Sequence, residues 1–283
     1  MRSPSAFLQP LNPNLSLAFL GAGRITKALI RGLLDSGRVT PQQIIVSSKS
    51  GNSAEALAKE YGVMAAPDNL SAITTASVVF LCTKPTQALA VLLEGQHLLA
   101  NKLIISVVTG IRSEDLFVAS GRHAHIIRSM PNTAIRLRKG VTSLSPHSSA
   151  TPEDNTLATQ LFSSVGMVYH VQEEQQDAIT AISGSGPAFF LLFIESLIQG
   201  GIEAGLDPTL AQALSAHAAA AAAALILETN NSPESLRAEI TSPQGTTEAG
   251  ISALQKAGLP QAVKAAVHAA TERAKQLATY QRL

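Results

Sequence analysis

Two short glycine-containing segments carry the residue types best suited to chemistry in this chain. The first, Gly21-Ala22-Gly23-Arg24-Ile25, follows an apolar run and opens a helical pattern. One glycine permits a tight bend after a strand. The other lets the backbone approach a phosphate at a helix N-terminus, where unpaired N–H groups and the dipole favour an anion. Thr26 stands where glycine or alanine is usual for helix–strand contact. One strand later the chain reads Ser47-Ser48-Lys49, without the acid that an NAD ribose site places about 20 residues on. Two hydroxyls and an ammonium suit a 2′-phosphate instead, by hydrogen bonding and charge neutralisation. The expected cofactor is therefore NADPH, with NADH as the alternative. The second segment, Gly245-Thr246-Thr247, lies at the mouth of a helical pattern. Its backbone N–H groups can hold a carboxylate.

Other chemistries find less support. His123 and His125 are two apart and would share one strand face, but no zinc-like ligand cluster accompanies them, so no metal is expected. No Cys–His or Ser–His spacing supports a nucleophilic triad. Cys82 is the single cysteine and reads as a small buried side chain without a redox role.

These segments need a scaffold. Strand-like runs at 16–20, 44–47, 63–65, 78–82, 103–108, 126–128, 141–144 and 168–171 are interleaved with helical patterns at 25–36, 54–61 and 86–93. Continuous apolar strands separated by helices predict a parallel sheet covered on both faces, the doubly wound arrangement. After about residue 172 strand signals vanish and alanine dominates, with helices expected at 173–182, 187–204, 208–228, 233–239, 246–256 and 261–277. The helix at 187–204 is apolar on nearly every face and needs cover from its own domain or a partner subunit. The fold class is thus α/β plus all-α. A disordered leader at 1–15 precedes a Rossmann-type NADP-binding domain at 16–172 and a helical domain at 173–283.

Composition bounds the alternatives. Hydrophobic residues make up 46% and charged residues 14%, enough for a sizeable core and against global disorder. With 21 basic and 20 acidic side chains the net charge is +1, which argues against bulk affinity for nucleic acid or an anionic membrane. One cysteine allows no internal disulfide and fits a reducing, cytoplasmic setting. The apolar stretches at 187–194 and 218–227 each fall short of the roughly 20 residues that cross a bilayer.

Further segments, in order, carry a resemblance. They are Lys84-Pro85 after Cys82-Thr83, Ser106-Val107-Val108-Thr109-Gly110, Met130-Pro131-Asn132-Thr133, Ile182-Ser183-Gly184-Ser185-Gly186-Pro187-Ala188, and Thr241-Ser242-Pro243-Gln244-Gly245-Thr246-Thr247. Together with the glycine turn they resemble the pyrroline-5-carboxylate reductase family over about residues 17–277. The resemblance implies hydride transfer from NADPH to the C=N bond of 1-pyrroline-5-carboxylate, forming L-proline. It implies a homodimer with interlocked helical domains, with a decamer of five dimers as the larger assembly. It places Asn69 at the adenosine ribose. Cys82, Thr83, Lys84, Pro85, Val108, Thr109, Gly110 and Asn132 then line the cofactor cleft. Met130, Ser185, Gly245 and Thr246 lie beside the substrate, and Thr247 hydrogen-bonds the ring nitrogen as an orienting group or proton relay.

One departure stands out. The family pattern has two consecutive glycines before the threonines, and this chain has Gln244-Gly245. If that position needs positive φ, glutamine costs about 1 kcal/mol through Cβ crowding. The alternatives are a reductase of another cyclic imine acid, a non-catalytic NADP-binding homologue, and a related hydroxyacid dehydrogenase. The last would place a lysine on the 187–204 helix, which has none.

Overall fold

The computed structural model describes residues 10–279. The described residues divide into two compact units, 185–269 and 10–184 with 270–279.

In the larger unit the apolar runs become strands β1 (Leu17–Leu20), β2 (Ile44–Ser47), β3 (Met64–Ala65), β4 (Val78–Leu81), β5 (Leu103–Ser106), β6 (His125–Pro131), β7 (Gly140–Pro146) and β8 (Gly166–His170). They form one sheet in the order β3-β2-β1-β4-β5-β6-β7-β8. The chain reverses its direction of sheet growth between β1 and β4, the switch point at which doubly wound folds bind ligands. β1 to β6 are parallel. The all-parallel expectation fails at β7, which runs antiparallel to β6 and parallel to β8. The eight residues between β6 and β7 are too few for a helical crossover, and a short link returns the chain antiparallel.

Strand alternation sorts the core into two faces. Leu17, Phe19, Val46, Phe80, Ile105 and Ile127 pack on one side, and Ala18, Leu20, Ile45, Leu81, Ile104 and Ile126 on the other. Phe19 and Phe80 stack at 4.5 Å between ring centroids, anchoring β1 to β4 beneath the switch point.

Seven helices surround these strands: α1 (Arg24–Asp35), α2 (Asn52–Tyr61), α3 (Asn69–Thr75), α4 (Pro85–Gly95), α5 (Ser113–Ala119), α6 (Pro152–Ser163) and α7 (Gln176–Ile179). Of these, α3, α5 and α6 go beyond the helices expected from periodicity. Two are only seven residues long. The third carries a legible start, Pro152 at its first turn and a reciprocal Thr151–Asp154 capping box.

The leader is corrected in part. Leu11 and Leu15 are buried in the core, the Leu11 N–H donates to Arg38 O, and Gln43 Nε2 donates to Asn12 O and Leu15 O. Two leucines four apart are enough to pin this stretch. The rest of the expected leader, up to Gln9, lies outside the described residues.

A π-helical turn, Thr180–Ser185, joins α7 to α8 (Gly186–Glu203), where a break was expected. Pro187 has no N–H to give the previous turn, and a wider turn accommodates that interruption. α9 (Pro208–Thr229), α10 (Pro233–Glu239), α11 (Thr246–Lys256) and α12 (Leu259–Thr279) follow. The apolar stretches therefore sit in longer helices than their own lengths imply. Glu173–Glu203 spans 31 residues and Pro208–Thr229 spans 22, each long and apolar enough to cross a membrane. Phe190, Leu191, Leu192, Leu214 and Leu227 are all more than half exposed.

Candidate cofactor and substrate site

At the carboxyl end of β1 the bend is built around Gly21, at φ +107°, whose N–H donates to Ser47 O at 3.0 Å. A Cβ there would lie 2.7 Å from Cys82 O, so no side chain fits. Gly23 is the N-cap of α1, without a side-chain cap, and a Cβ on it would meet nothing within 4 Å. The first N–H groups of α1 thus have no side-chain cap from Gly23. Arg24 is exposed beside them, while Ala22 and Ile25 pack against the core. Thr26 is fully buried and its hydroxyl donates to Gly21 O at 2.5 Å. The threonine that departs from the usual pattern therefore braces the bend from inside.

The next strand ends are less uniform. Ser47 is fully buried and its hydroxyl donates to Asn69 Oδ1 at 2.7 Å. That hydroxyl is committed within the protein, unlike the expectation that it serves a 2′-phosphate together with Ser48 and Lys49. Ser48 is half-buried with its oxygen accepting from the Ala54 N–H at 3.2 Å, and Lys49 is exposed. Asn69 opens α3 directly after its N-cap Asp68, which fixes its amide against Ser47.

At the end of β4, Cys82 is buried and its thiol is pushed up to about 12, by burial against the opposing effect of the Thr26 hydroxyl. It stays neutral, and its backbone oxygen closes the bend to any side chain at Gly21. Thr83 N lies 3.1 Å from the Cβ that Gly21 lacks, and Thr83 Oγ1 is buried without a partner among the described residues. A buried hydroxyl of that kind calls for a group not supplied by the fold. Lys84 is exposed at the N-cap of α4 and Pro85 takes its first position. Beyond β5, Val108 is buried, its N–H directed at Ser106 Oγ (3.3 Å), and Thr109 leads into Gly110 at φ 84°.

Asn132 is buried at the end of β6, where its Oδ1 accepts from Ala134 N at 3.2 Å and Val141 N at 3.3 Å. It holds the loop between β6 and β7 together, the structural role open to it beside cofactor lining. Met130 is 5% exposed, and a Cβ on Gly184 of the π-helical turn would lie 3.8 Å from its Sδ. The turn carrying Ser183 and Gly184 is thereby seated on β6. Ser183 Oγ is also buried without a partner among the described residues. Ser185 ends the same turn, half-buried.

Below the turn, Arg128 is 3% exposed and forms ion pairs with Glu173 at 3.2 Å and Asp177 at 3.3 Å. Glu173 also accepts from the Ser113 N–H and hydroxyl, each at 2.6 Å. Burial pushes this carboxyl up, but the Ser113 bonds and the Arg128 charge outweigh it and hold the group below its ordinary value. This cluster was not read from the sequence, because its members come from four separate elements.

In the smaller unit, Gly245 is the N-cap of α11, without a side-chain cap, and Thr246 and Thr247 are its first two residues. The preceding Ser242-Pro243-Gln244-Gly245 turn closes with the Gly245 N–H donating to Ser242 O at 3.0 Å. Gln244 sits at φ 59°, the left-handed conformation at which its cost was reckoned. A second residue went unread: the Glu248 carboxylate accepts from the Gln244 N–H at 2.6 Å. An acid three residues after an N-cap was the available signal.

Comparison with known proteins places both halves. A family model described as pyrroline-5-carboxylate reductase dimerisation matches residues 173–277. Another, described as NADP oxidoreductase coenzyme F420-dependent, matches residues 16–110. A pyrroline-5-carboxylate reductase from Synechocystis is 36% identical over 267 residues, covering 93% of this chain and 98% of that protein. One from Pisum sativum is 36% identical, covering 94% and 97%. Among solved structures, the Plasmodium falciparum pyrroline carboxylate reductase with NADP bound gives a TM-score of 0.88 at 27% identity, covering 94% of this chain and 99% of that one. The Coxiella burnetii pyrroline-5-carboxylate reductase gives 0.84 at 32% identity, covering 93% and 98%. With relatives this similar along nearly their whole length, the chain belongs to the pyrroline-5-carboxylate reductase family.

Proposed function

We propose that this protein reduces 1-pyrroline-5-carboxylate to L-proline with NADPH. The observation that carries the reading is the 36% identity to a named reductase across 98% of that relative's length. The residues present fit the cofactor: an uncapped helix N-terminus at Gly23, a bend closed to any side chain at Gly21, and an orphaned hydroxyl at Thr83. Gly21, Ala22, Gly23, Arg24 and Ile25 would hold its pyrophosphate, Ser48 and Lys49 its 2′-phosphate, and Asn69 its ribose. The segments Cys82–Pro85 and Val108–Gly110, with Asn132, would line the rest. When bound, NADPH supplies the hydride.

The remaining work falls to the chain itself. The N–H groups opening α11 at Thr246 and Thr247 receive the substrate carboxylate, where the helix dipole favours an anion. The Thr247 hydroxyl meets the ring nitrogen, orients it and relays the proton it acquires. By the same family likeness, Met130 and Ser185 are the further residues expected beside the substrate. Orientation of this kind is enough for hydride transfer, which needs contact between the reacting carbons more than a strong acid.

The functional division is a cofactor domain at 16–172 and a dimerisation and substrate domain at 173–283. The apolar faces of α8 and α9 are then covered by a second copy, and five dimers form a decamer. That cover, a single cysteine and a near-neutral charge support a cytoplasmic protein that does not insert in a membrane. The test is oxidation of NADPH by purified protein with 1-pyrroline-5-carboxylate. Thr247→Ala is expected to lower kcat/KM roughly 10²-fold, the scale of general acid–base assistance. Binding of NADPH without turnover of this imine would overturn the reading, and turnover of a six-membered imine acid in its place would reassign the substrate.

A further inference from the structure

We infer that Glu248 is a positioning residue, which sets the aim of the substrate-binding turn by holding Gln244 in its left-handed conformation. Ser242-Pro243-Gln244-Gly245 has proline at the second position, positive φ at the third and a Gly245 N–H to Ser242 O bond of 3.0 Å, the pattern of a type II turn. The third position of that turn suits glycine, because a Cβ crowds the backbone there. Glutamine has neither glycine's freedom nor asparagine's short side chain, so something outside its own preference must keep it at φ 59°. The contact that does so is the 2.6 Å bond from the Gln244 N–H to the Glu248 carboxylate, a short, charge-assisted bond of the stronger class.

The geometry leaves little slack for any other arrangement. A Cβ on Gly245 would lie 2.7 Å from Ser242 Oγ and 3.0 Å from Ser242 O, so the turn is packed on itself. Gly245 carries no capping side chain, and α11 starts at the next residue. If Gln244 relaxes to negative φ, the following peptide rotates, and with it the first N–H groups of α11. Those are the groups that face the substrate carboxylate, and the inference rests on that reading of Thr246 and Thr247. Glu248 does not touch the substrate in this scheme. It acts through the turn.

The coupling has a specific signature, because glycine at position 244 can hold positive φ without help. Glu248→Ala is expected to raise KM for the imine and lower kcat/KM roughly tenfold or more, a misalignment cost, while leaving the Kd for NADPH at the wild-type value. Adding Gln244→Gly to Glu248→Ala is expected to restore kcat/KM to within about threefold of wild type by relieving the conformational demand. Glu248→Gln, which keeps an acceptor oxygen, should retain most of the activity and serves if the alanine variant does not fold. Wild-type kinetics in Glu248→Ala, or a double variant no better than the single one, would overturn the inference. Wild-type kinetics in Thr247→Ala would instead overturn the functional reading on which it stands.

Discussion

Single residues set the local terms of this fold, and several do so against their usual preferences. Gln244 is the sharpest case. Gln244→Gly should stabilise the folded protein by about 1 kcal/mol, since glycine adopts φ 59° without Cβ strain. Chemical denaturation at fixed protein concentration measures it. Thr26 is the converse case, a departure with a structural reward. Thr26→Val keeps the volume but removes the bond to Gly21 O. It should cost about 1 kcal/mol and raise the Kd for NADPH as the bend slackens, which fluorescence titration would read. Lys49 has no such internal duty and is exposed. Its replacement by alanine should leave stability unchanged and shift preference from NADPH toward NADH, seen in the ratio of kcat/KM values.

At the scale of elements, the sheet brings the residues proposed to hold the cofactor to its carboxyl edge, while Arg128 ties β6 to the start of the long helical run. Arg128 is nearly out of solvent, while its partners Glu173 and Asp177 are 28% and 24% exposed, and removing the arginine leaves two partly buried carboxylates without their cation. Arg128→Ala should therefore destabilise the protein by about 3 kcal/mol or more. The cluster also has a pH signature. Glu173 is held below its ordinary value of 4.5. It contributes stability that is complete above that value and is lost as pH falls through the depressed folded value. Glu173→Gln should lower stability at neutral pH and flatten its decline in acid. An unchanged acid limb in denaturation curves taken from neutral pH downward would count against this assignment.

For the whole molecule, the decisive feature is apolar surface that one chain leaves uncovered. Phe190 is 69% exposed and Leu192 65% on α8, with Leu227 59% exposed on α9. Exposed faces of that extent mark a contact with another molecule, and the dimerisation match over residues 173–277 identifies the kind of contact. Leu192→Asp should yield a smaller species in sedimentation and reduce turnover along with it. Thermal stability of the native protein should rise with protein concentration, as mass action requires when folding and assembly are linked.

Much of this was legible in the chain, for a physical reason. The strands of the parallel sheet are continuous apolar runs because both faces are covered, the glycine bend follows from a backbone that must turn with no room for Cβ, and the alanine-rich helices declare themselves by composition. These are local properties, written in neighbouring residues. What the tertiary structure alone decided joins residues far apart. The Ser47 hydroxyl is committed to Asn69, 22 positions away. Arg128 is buried against Glu173 and Asp177. β7 reverses against β6, and Leu11 and Leu15 join the core from what read as a leader. Periodicity records which face of an element is apolar, whereas the partner that meets each polar group is chosen only when the elements pack.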